Sequence, residues 1–364
     1  MSSQIGNRMK VSIFGESHGV GIGTVIDGFP AGVKIDMEQL LAFMKRRAPG
    51  RDKTATTRKE SDLPQILSGV MDDVTCGTPI AAVIQNTNQR SKDYKNVTTA
   101  ARPGHADYTG YLRYGGHNDI RGGGHFSARL TAPLVFAGGL CIQYLQQRGI
   151  YIGAHLKSVK DEEDAAFDAA ELTPEQLLAP GKKNFPVIDD TAEERMRAVI
   201  EAARLDADSV GGVVEAAVYG MPAGIGSPIF DSIEGRLSLG YFGIPAVKGV
   251  EFGAGFGASK LFGSENNDEF YIQKDGEVKT TTNHHGGILG GISSGMPIVA
   301  RLAFKPTPSI GKPQRTIDFV KKEETELNVV GRHDPCVAVR AVPVVEAVTA
   351  VVITDMLLEQ EGSI

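Results

Sequence analysis

Residues 128–147, ARLTAPLVFAGGLCIQYLQQ, read as one long and nearly all-apolar helix. A helix that is apolar on every side has to be buried, so other elements must wrap around it. Gly138 and Gly139 in its middle point to close packing against a neighbouring helix rather than to a break. The longest apolar run, residues 133–142, is too short to span a bilayer, so burial inside protein is the expectation.

The remaining elements are short and mixed. Residues 9–14, 25–27, 66–70, 80–85, 212–219 and 298–304 have the composition of strands bounded by turn residues. Residues 35–47 have helical spacing, with Asp36 as N-cap. Residues 191–205 form an amphipathic helix, with Thr191 and Glu194 as a capping box. Residues 343–359 form a helix with Pro343 near its first position. An acidic stretch at 158–195 is expected as a surface insertion. The irregular spacing between strands favours antiparallel neighbours over regular βαβ units, hence an α+β fold. With no evident linker or repeat, residues 1–364 are expected to form a single domain.

Net charge is −6, which argues against a general nucleic-acid partner. Cys76, Cys141 and Cys336 are odd in number and widely spaced, so neither a disulfide framework nor a C-x-x-C metal site is expected. The start, MSSQIGNRMK, lacks the apolar core of a signal peptide. These features together lead to the expectation of a cytoplasmic protein without a membrane partner.

The chemistry concentrates in residues 102–131, RPGHADYTGYLRYGGHNDIRGGGHFSARLT, which hold three His, four Arg and seven Gly. Glycines let backbone approach a ligand, arginines fork onto phosphate or carboxylate, and histidines move protons near neutral pH. Residues 45–59 carry seven basic side chains and one acidic, either as a solvated loop or as an anion-gathering flap. Lys305 beside Thr307 and Ser309 suggests a phosphate cradle, and Arg332 beside Asp334 either a local ion pair or part of the same site.

Other motifs do not hold up. Residues 15–19 match G-x-S-x-G, but that nucleophile elbow needs a helix straight after it, and VGIGTVIDGFPAG is not helical. The glycines at 19, 21 and 23 lack the spacing of a dinucleotide loop. His105, Asp107, His117, His284, His285, His333 and Asp334 include no helical H-x-x-x-H pair, so no metal is expected. The best residue-level reading is an anion-binding site with acid–base groups.

These segments together resemble the chorismate synthase family. The matching pieces are GESHG (15–19), VIDGFPAG (25–32), NTNQRSKDY (86–94), RPGHADYT (102–109) and RGGG (121–124). They continue with AVKGVEFG (246–253), NHHGGILGGISSG (283–295), KPTPSI (305–310) and GRHDPCVAVRAVP (331–343), in the family's order. The resemblance implies a single-domain β-α-β sandwich, with helices between two antiparallel sheets, assembled as a homotetramer. It implies 1,4-anti elimination of phosphate from 5-enolpyruvylshikimate 3-phosphate to give chorismate, in aromatic amino acid biosynthesis. Reduced FMN is required without net redox change, with NADPH as an indirect reductant. The flavin would carry the hard electronic step while the protein binds, orients and manages protons.

By the same resemblance, His18 is the acid for the departing phosphate, His105 sets the protonation of reduced flavin, and Asp334 is the base working through flavin N5. Ser17, Arg47, Lys53, Arg102 and Arg129 would contact substrate or NADP. His125, Phe126, Ser127, Ala246, Gly290, Lys305, Pro306, Thr307, Pro308, Ser309 and Arg332 fall where the family contacts FMN. The chain departs from the family pattern in several places. Lys53 and His125 stand for Arg, Phe126 for Ser, Leu130 for Glu, Pro245 for Asn and Pro308 for Ser. A protein that merely binds a phosphorylated metabolite would explain the anion-binding loops, but would not need His18, His105 and Asp334 together.

Overall fold

The computed structural model describes residues 3–50, 62–87, 99–329 and 334–362. Two five-stranded antiparallel sheets enclose a layer of helices. The first sheet runs, in spatial order, Gln4–Ile5, Lys10–Gly15, Gly21–Asp27, Ile80–Gln85, Pro64–Ser68. The second runs Val247–Phe252, Ile298–Phe304, Gly212–Tyr219, Tyr151–Val159, Glu162–Glu163. This is the α+β sandwich that the sequence led us to expect.

The central helix, Thr131–Gln146, packs on the first sheet, and the C-terminal helix, Ala338–Glu361, packs on the second. The two helices lie against each other through Gly138. A Cβ there would sit 2.3 Å from the Cα of Ala347, so only glycine allows the approach. The helix Met37–Arg47 joins the same layer. Asp36 caps it by accepting from the Gln39 N–H, as expected, and the Arg46 fork clamps Glu346 of the C-terminal helix at 2.6 and 2.8 Å.

Four local expectations need correction. The C-terminal helix begins at Ala338, and Pro343 lies inside it, near enough to the start that only one early backbone bond is lost. It is also the longer apolar helix: by length and composition both it and residues 128–146 could cross a membrane, yet 94% of its most apolar window is buried in this protein. The helix Asp190–Leu205 is capped by Asp189, not Thr191, because the Asp189 carboxylate accepts from the Thr191 N–H at 2.9 Å. The acidic stretch is not a loose insertion. Phe167, Leu172 and Leu177 pack with Ala217 and Val299 on the sheet face that turns away from the helices.

Candidate active site

A cleft of about 1080 Å³ opens between the C-terminal helix, the end of the first sheet and the segment 102–131. That segment is not one loop. It contains the helix Asp107–Arg113, a tight turn at Arg121–Phe126 and another at Ala128–Leu130. Three successive glycines, Gly122, Gly123 and Gly124, all have positive φ (61°, 88° and 54°), and Gly122 brings bare backbone into the cleft wall.

His18 and His105 flank this bare backbone. A Cβ on Gly122 would fall 2.1 Å from His18 Cε1, and one on Gly123 would fall 3.2 Å from His105 Nε2. The loop that carries Ser17 and His18 connects the antiparallel strands Lys10–Gly15 and Gly21–Asp27, so a hydrolase elbow is absent. Ser17 Oγ lies 3.1 Å from His18 Nδ1 and within donating distance of the Arg121 and Gly122 carbonyls, at 3.1 and 3.2 Å. A hydroxyl that donates to a carbonyl can accept from Nδ1–H, so Ser17 helps to orient the His18 ring.

His105 is oriented in the same sense by a carboxylate. Its Nδ1 lies between Asp107 Oδ1 at 2.7 Å and Arg102 Nη2 at 3.1 Å, and Nε2 is turned toward Gly123. Asp107 is buried and also accepts from the Arg102 backbone N–H, Nε and Nη2 at 3.0, 2.8 and 2.7 Å. Burial pushes the Asp107 carboxyl upward, but hydrogen bonds from Arg102 and His105 outweigh it and hold the group far below the usual range. Arg102 reaches Ser309 Oγ as well, at 3.2 Å, which ties the segment 102–131 to residues 305–309.

Arg47 and Arg129 share a counter-ion, Asp62. Arg47 Nη1 donates to Asp62 Oδ2 at 2.7 Å, and Arg129 Nη1 donates to Asp62 Oδ1. Arg47 also donates from Nε to Thr131 Oγ1 (3.0 Å) and from Nη2 to the Ala128 carbonyl (3.1 Å). Burial, only partly offset by Asp62, lowers the Arg47 pKa to about 10. Both arginines line the cleft, with much of their donor capacity already committed to the fold.

Asp334 lines the cleft and pairs with Arg340, a residue that the sequence reading overlooked. Lys305 Nζ donates to the Gly104 carbonyl, and Thr307 Oγ1 is buried with no hydrogen-bond partner among the described residues. Ser127, Ala246, Pro308 and Ser309 stand in the wall with them. His125 and Phe126 differ in what they offer. The His125 ring is committed to the fold: Nδ1–H donates to the Gly15 carbonyl at 2.9 Å, and Ser3 Oγ donates to Nε2 at 2.8 Å. Phe126 presents its ring beside Tyr114, with centroids 6.3 Å apart.

Two expected contacts lie elsewhere. Gly290 is exposed at the tip of the hairpin Ile288–Leu289/Ile292–Ser293 and is not part of the cleft wall, and Pro306 is exposed beside it. Lys53, Arg332 and the basic residues 51–59 lie outside the described residues. Sequence reasoning missed Asp62 and Arg340, and weighed Asp107 only as a metal ligand. Only Asp107 carried a signal, its place two residues after His105.

Six cationic side chains line the cleft: Arg47, Arg102, Arg129, Lys248, Lys305 and Arg340. Three carboxylates, Asp62, Asp107 and Asp334, touch them, which leaves an excess of positive charge. Part of the wall is apolar, built by Leu134, Val337, Ala341, Val344 and Val348. A polyanion with a flat apolar part suits such a cleft.

The family model described as chorismate synthase matches residues 9–358. A chorismate synthase from Thermococcus kodakarensis is 46% identical over 98% of this chain and 98% of the relative. One from Pyrococcus abyssi is 47% identical over 97% of each. A crystal structure of chorismate synthase superposes with a TM-score of 0.78 at 30% identity, covering 98% of this chain and 94% of that one.

Proposed function

The chain belongs to the chorismate synthase family and is an enzyme, a carbon–oxygen lyase acting on phosphates; on that premise we propose that it eliminates phosphate from 5-enolpyruvylshikimate 3-phosphate, 1,4 and anti, to give chorismate with the help of reduced FMN. The observation that carries this reading is the pair of imidazoles set against consecutive bare glycines, with His105 and Gly122 in the wall of a cationic cleft. A protein that only stored a phosphorylated metabolite would have no use for two oriented histidines.

The residues present fit a flavin mononucleotide beside the substrate. The cleft volume of about 1080 Å³ exceeds the roughly 300–1,000 Å³ usual for one small ligand. Its apolar wall suits a flat ring system. The buried hydroxyl of Thr307, unpartnered among the described residues, supplies donors for a phosphate together with Lys305 and Ser309. When bound, reduced FMN lends electron density that lets phosphate leave without net redox change.

The chain's own residues do the rest. His18, protonated at Nε2, gives its proton to the departing phosphate oxygen, and Ser17 keeps the ring in register. His105 holds or releases a proton at Nε2 while Asp107 orients its ring. The carboxylate of Asp334 receives the proton lost from substrate carbon. Arg47, Arg102 and Arg129 hold the substrate anions, aided by the surplus positive charge of the cleft.

We extend the reading to a single-domain, cytoplasmic homotetramer that works in aromatic amino acid biosynthesis without nucleic acid, membrane or metal partners, with NADPH acting only as an indirect reductant. The test is anaerobic phosphate release from 5-enolpyruvylshikimate 3-phosphate. Turnover is expected with dithionite-reduced FMN and is unaffected by a chelator. Turnover that persists without flavin would sink the proposal.

A further inference from the structure

We propose that Arg340 is a positioning residue for Asp334, holding that carboxylate at the cleft wall in the orientation that proton transfer needs. The inference rests on the reading of Asp334 as the base in the reaction above.

Arg340 is the third residue of the C-terminal helix. Its Nη1 donates to Asp334 Oδ2 at 2.5 Å and its Nε donates to the backbone carbonyl of Arg47 at 3.1 Å. Arg47 is the last residue of the helix Met37–Arg47, so that carbonyl belongs to the negative end of a rigid element. One guanidinium therefore spans from a helix terminus to a carboxylate that lies on neither helix nor strand. Both side chains line the cleft and are mostly shielded, 18% and 14% exposed.

Helix energetics do not account for this arginine. A cation in the first turn of a helix faces the positive end of the macrodipole. It also lies close enough to Arg47 to help depress that guanidinium's pKa. Both effects oppose its placement, and Asp334 together with the Arg47 carbonyl offsets them. What the arrangement provides is geometry. A carboxylate can rotate freely, whereas a guanidinium anchored to the Arg47 carbonyl holds one of its oxygens in place. A lysine would keep the charge but would act as a point charge on a flexible stem.

The experiment is steady-state phosphate release with reduced FMN, for wild type, Arg340→Ala, Arg340→Lys, Asp334→Asn and the double variant Asp334→Asn/Arg340→Ala. Arg340→Ala is expected to lower kcat by about 10²-fold with KM within about threefold of wild type. Arg340→Lys should recover only part of that loss, and millimolar guanidinium ion added to Arg340→Ala should restore more of it. The double variant should be no slower than Asp334→Asn alone, because a residue that acts through Asp334 has nothing left to position. Equal kcat in Arg340→Ala and wild type overturns the proposal. So does a KM that rises more than kcat falls, which would make Arg340 a substrate ligand. So do additive effects in the double variant, or a loss that follows the folded fraction and resists guanidinium. An active wild type with any of these results sinks the role of Arg340 alone. A wild type that releases no phosphate, or an Asp334→Asn variant with full turnover, overturns the underlying reading of the reaction or of the base, and the proposal with it.

Discussion

His105 and His155 both sit beside carboxylates, and their surroundings give them opposite uses. His105 commits Nδ1 to Asp107 and turns Nε2 toward the cleft loop, with 16% of its side chain exposed. His155 is fully buried and commits both nitrogens, Nδ1 to Asp164 at 2.9 Å and Nε2 to Glu215 at 3.0 Å. Phe167 packs edge-on against its ring, with centroids 4.7 Å apart, and Arg301 braces Glu215 and Glu251 behind it. A histidine with one nitrogen left over can move a proton. One with both nitrogens spent can only hold structure together, and here it ties the acidic stretch to the second sheet.

The sharpest way to break this contrast is to remove the rings. His18→Ala and His105→Ala are each expected to lower kcat by roughly 10²–10⁴-fold, the scale of one general acid or base. His155→Ala should keep near-normal kcat per folded molecule, and an equal drop would erase the distinction. Stability should show the reverse ranking. His155→Ala leaves two buried carboxylates without their partner and should cost about 3–5 kcal/mol in urea unfolding. His105→Ala should cost less than half of that.

A third test asks whether Asp334 belongs with the reactive group. Asp334→Asn keeps size and some hydrogen bonding, so FMN and substrate binding should change by less than about 1.4 kcal/mol, or tenfold, while kcat falls by more. Loss of FMN binding instead would make it structural. Ser17→Ala removes one orienting hydrogen bond, and the expected fall in kcat is under about tenfold. Were Ser17 a nucleophile, its loss would exceed that of His18.

The smallest expected effect is a change of slope with pH. Burial alone would lower the pKa of His155, but the hydrogen bonds it donates to Asp164 and Glu215 outweigh it and raise it. A raised folded-state value means that the stabilisation is complete below the ordinary value of about 6.5 and fades as pH rises through the folded value. Asp164 and Glu215 are held below their ordinary values against burial, so their share is present above those values and fades as pH falls. Unfolding free energy of the wild type should therefore decline on the alkaline side of neutrality. His155→Gln should flatten that decline, and an unchanged slope would show that His155 does not titrate on unfolding.

Much of this architecture was legible in the residues themselves, for reasons that are local. Helical and strand periodicity depends on neighbours a few positions apart, which is why the strand 212–219 and the Asp36 cap were found in place. The same local signals misled at Pro343, because a proline reads as a helix start whether or not a buried helix can absorb it. The order of motifs along the chain, GESHG through GRHDPC, was enough to point to the family.

The tertiary structure alone decided how charges and rings were shared. Asp62 reaches Arg47 across 15 positions and Arg129 across 67, and Arg340 reaches the Arg47 carbonyl across 293. Nothing in the identity of these residues chooses those partners over nearer ones. The choice is made when the two sheets close on the helix layer, because a buried charge must then take whatever counter-ion the packing brings. For the same reason Gly122 and Gly123 each face a histidine, while Gly290, read from its motif as another cofactor contact, stands on an exposed hairpin away from the cleft. The sequence by itself determined the elements, the buried helix and the kind of chemistry. Which nitrogen, oxygen or bare backbone atom meets which was settled only by long-range packing.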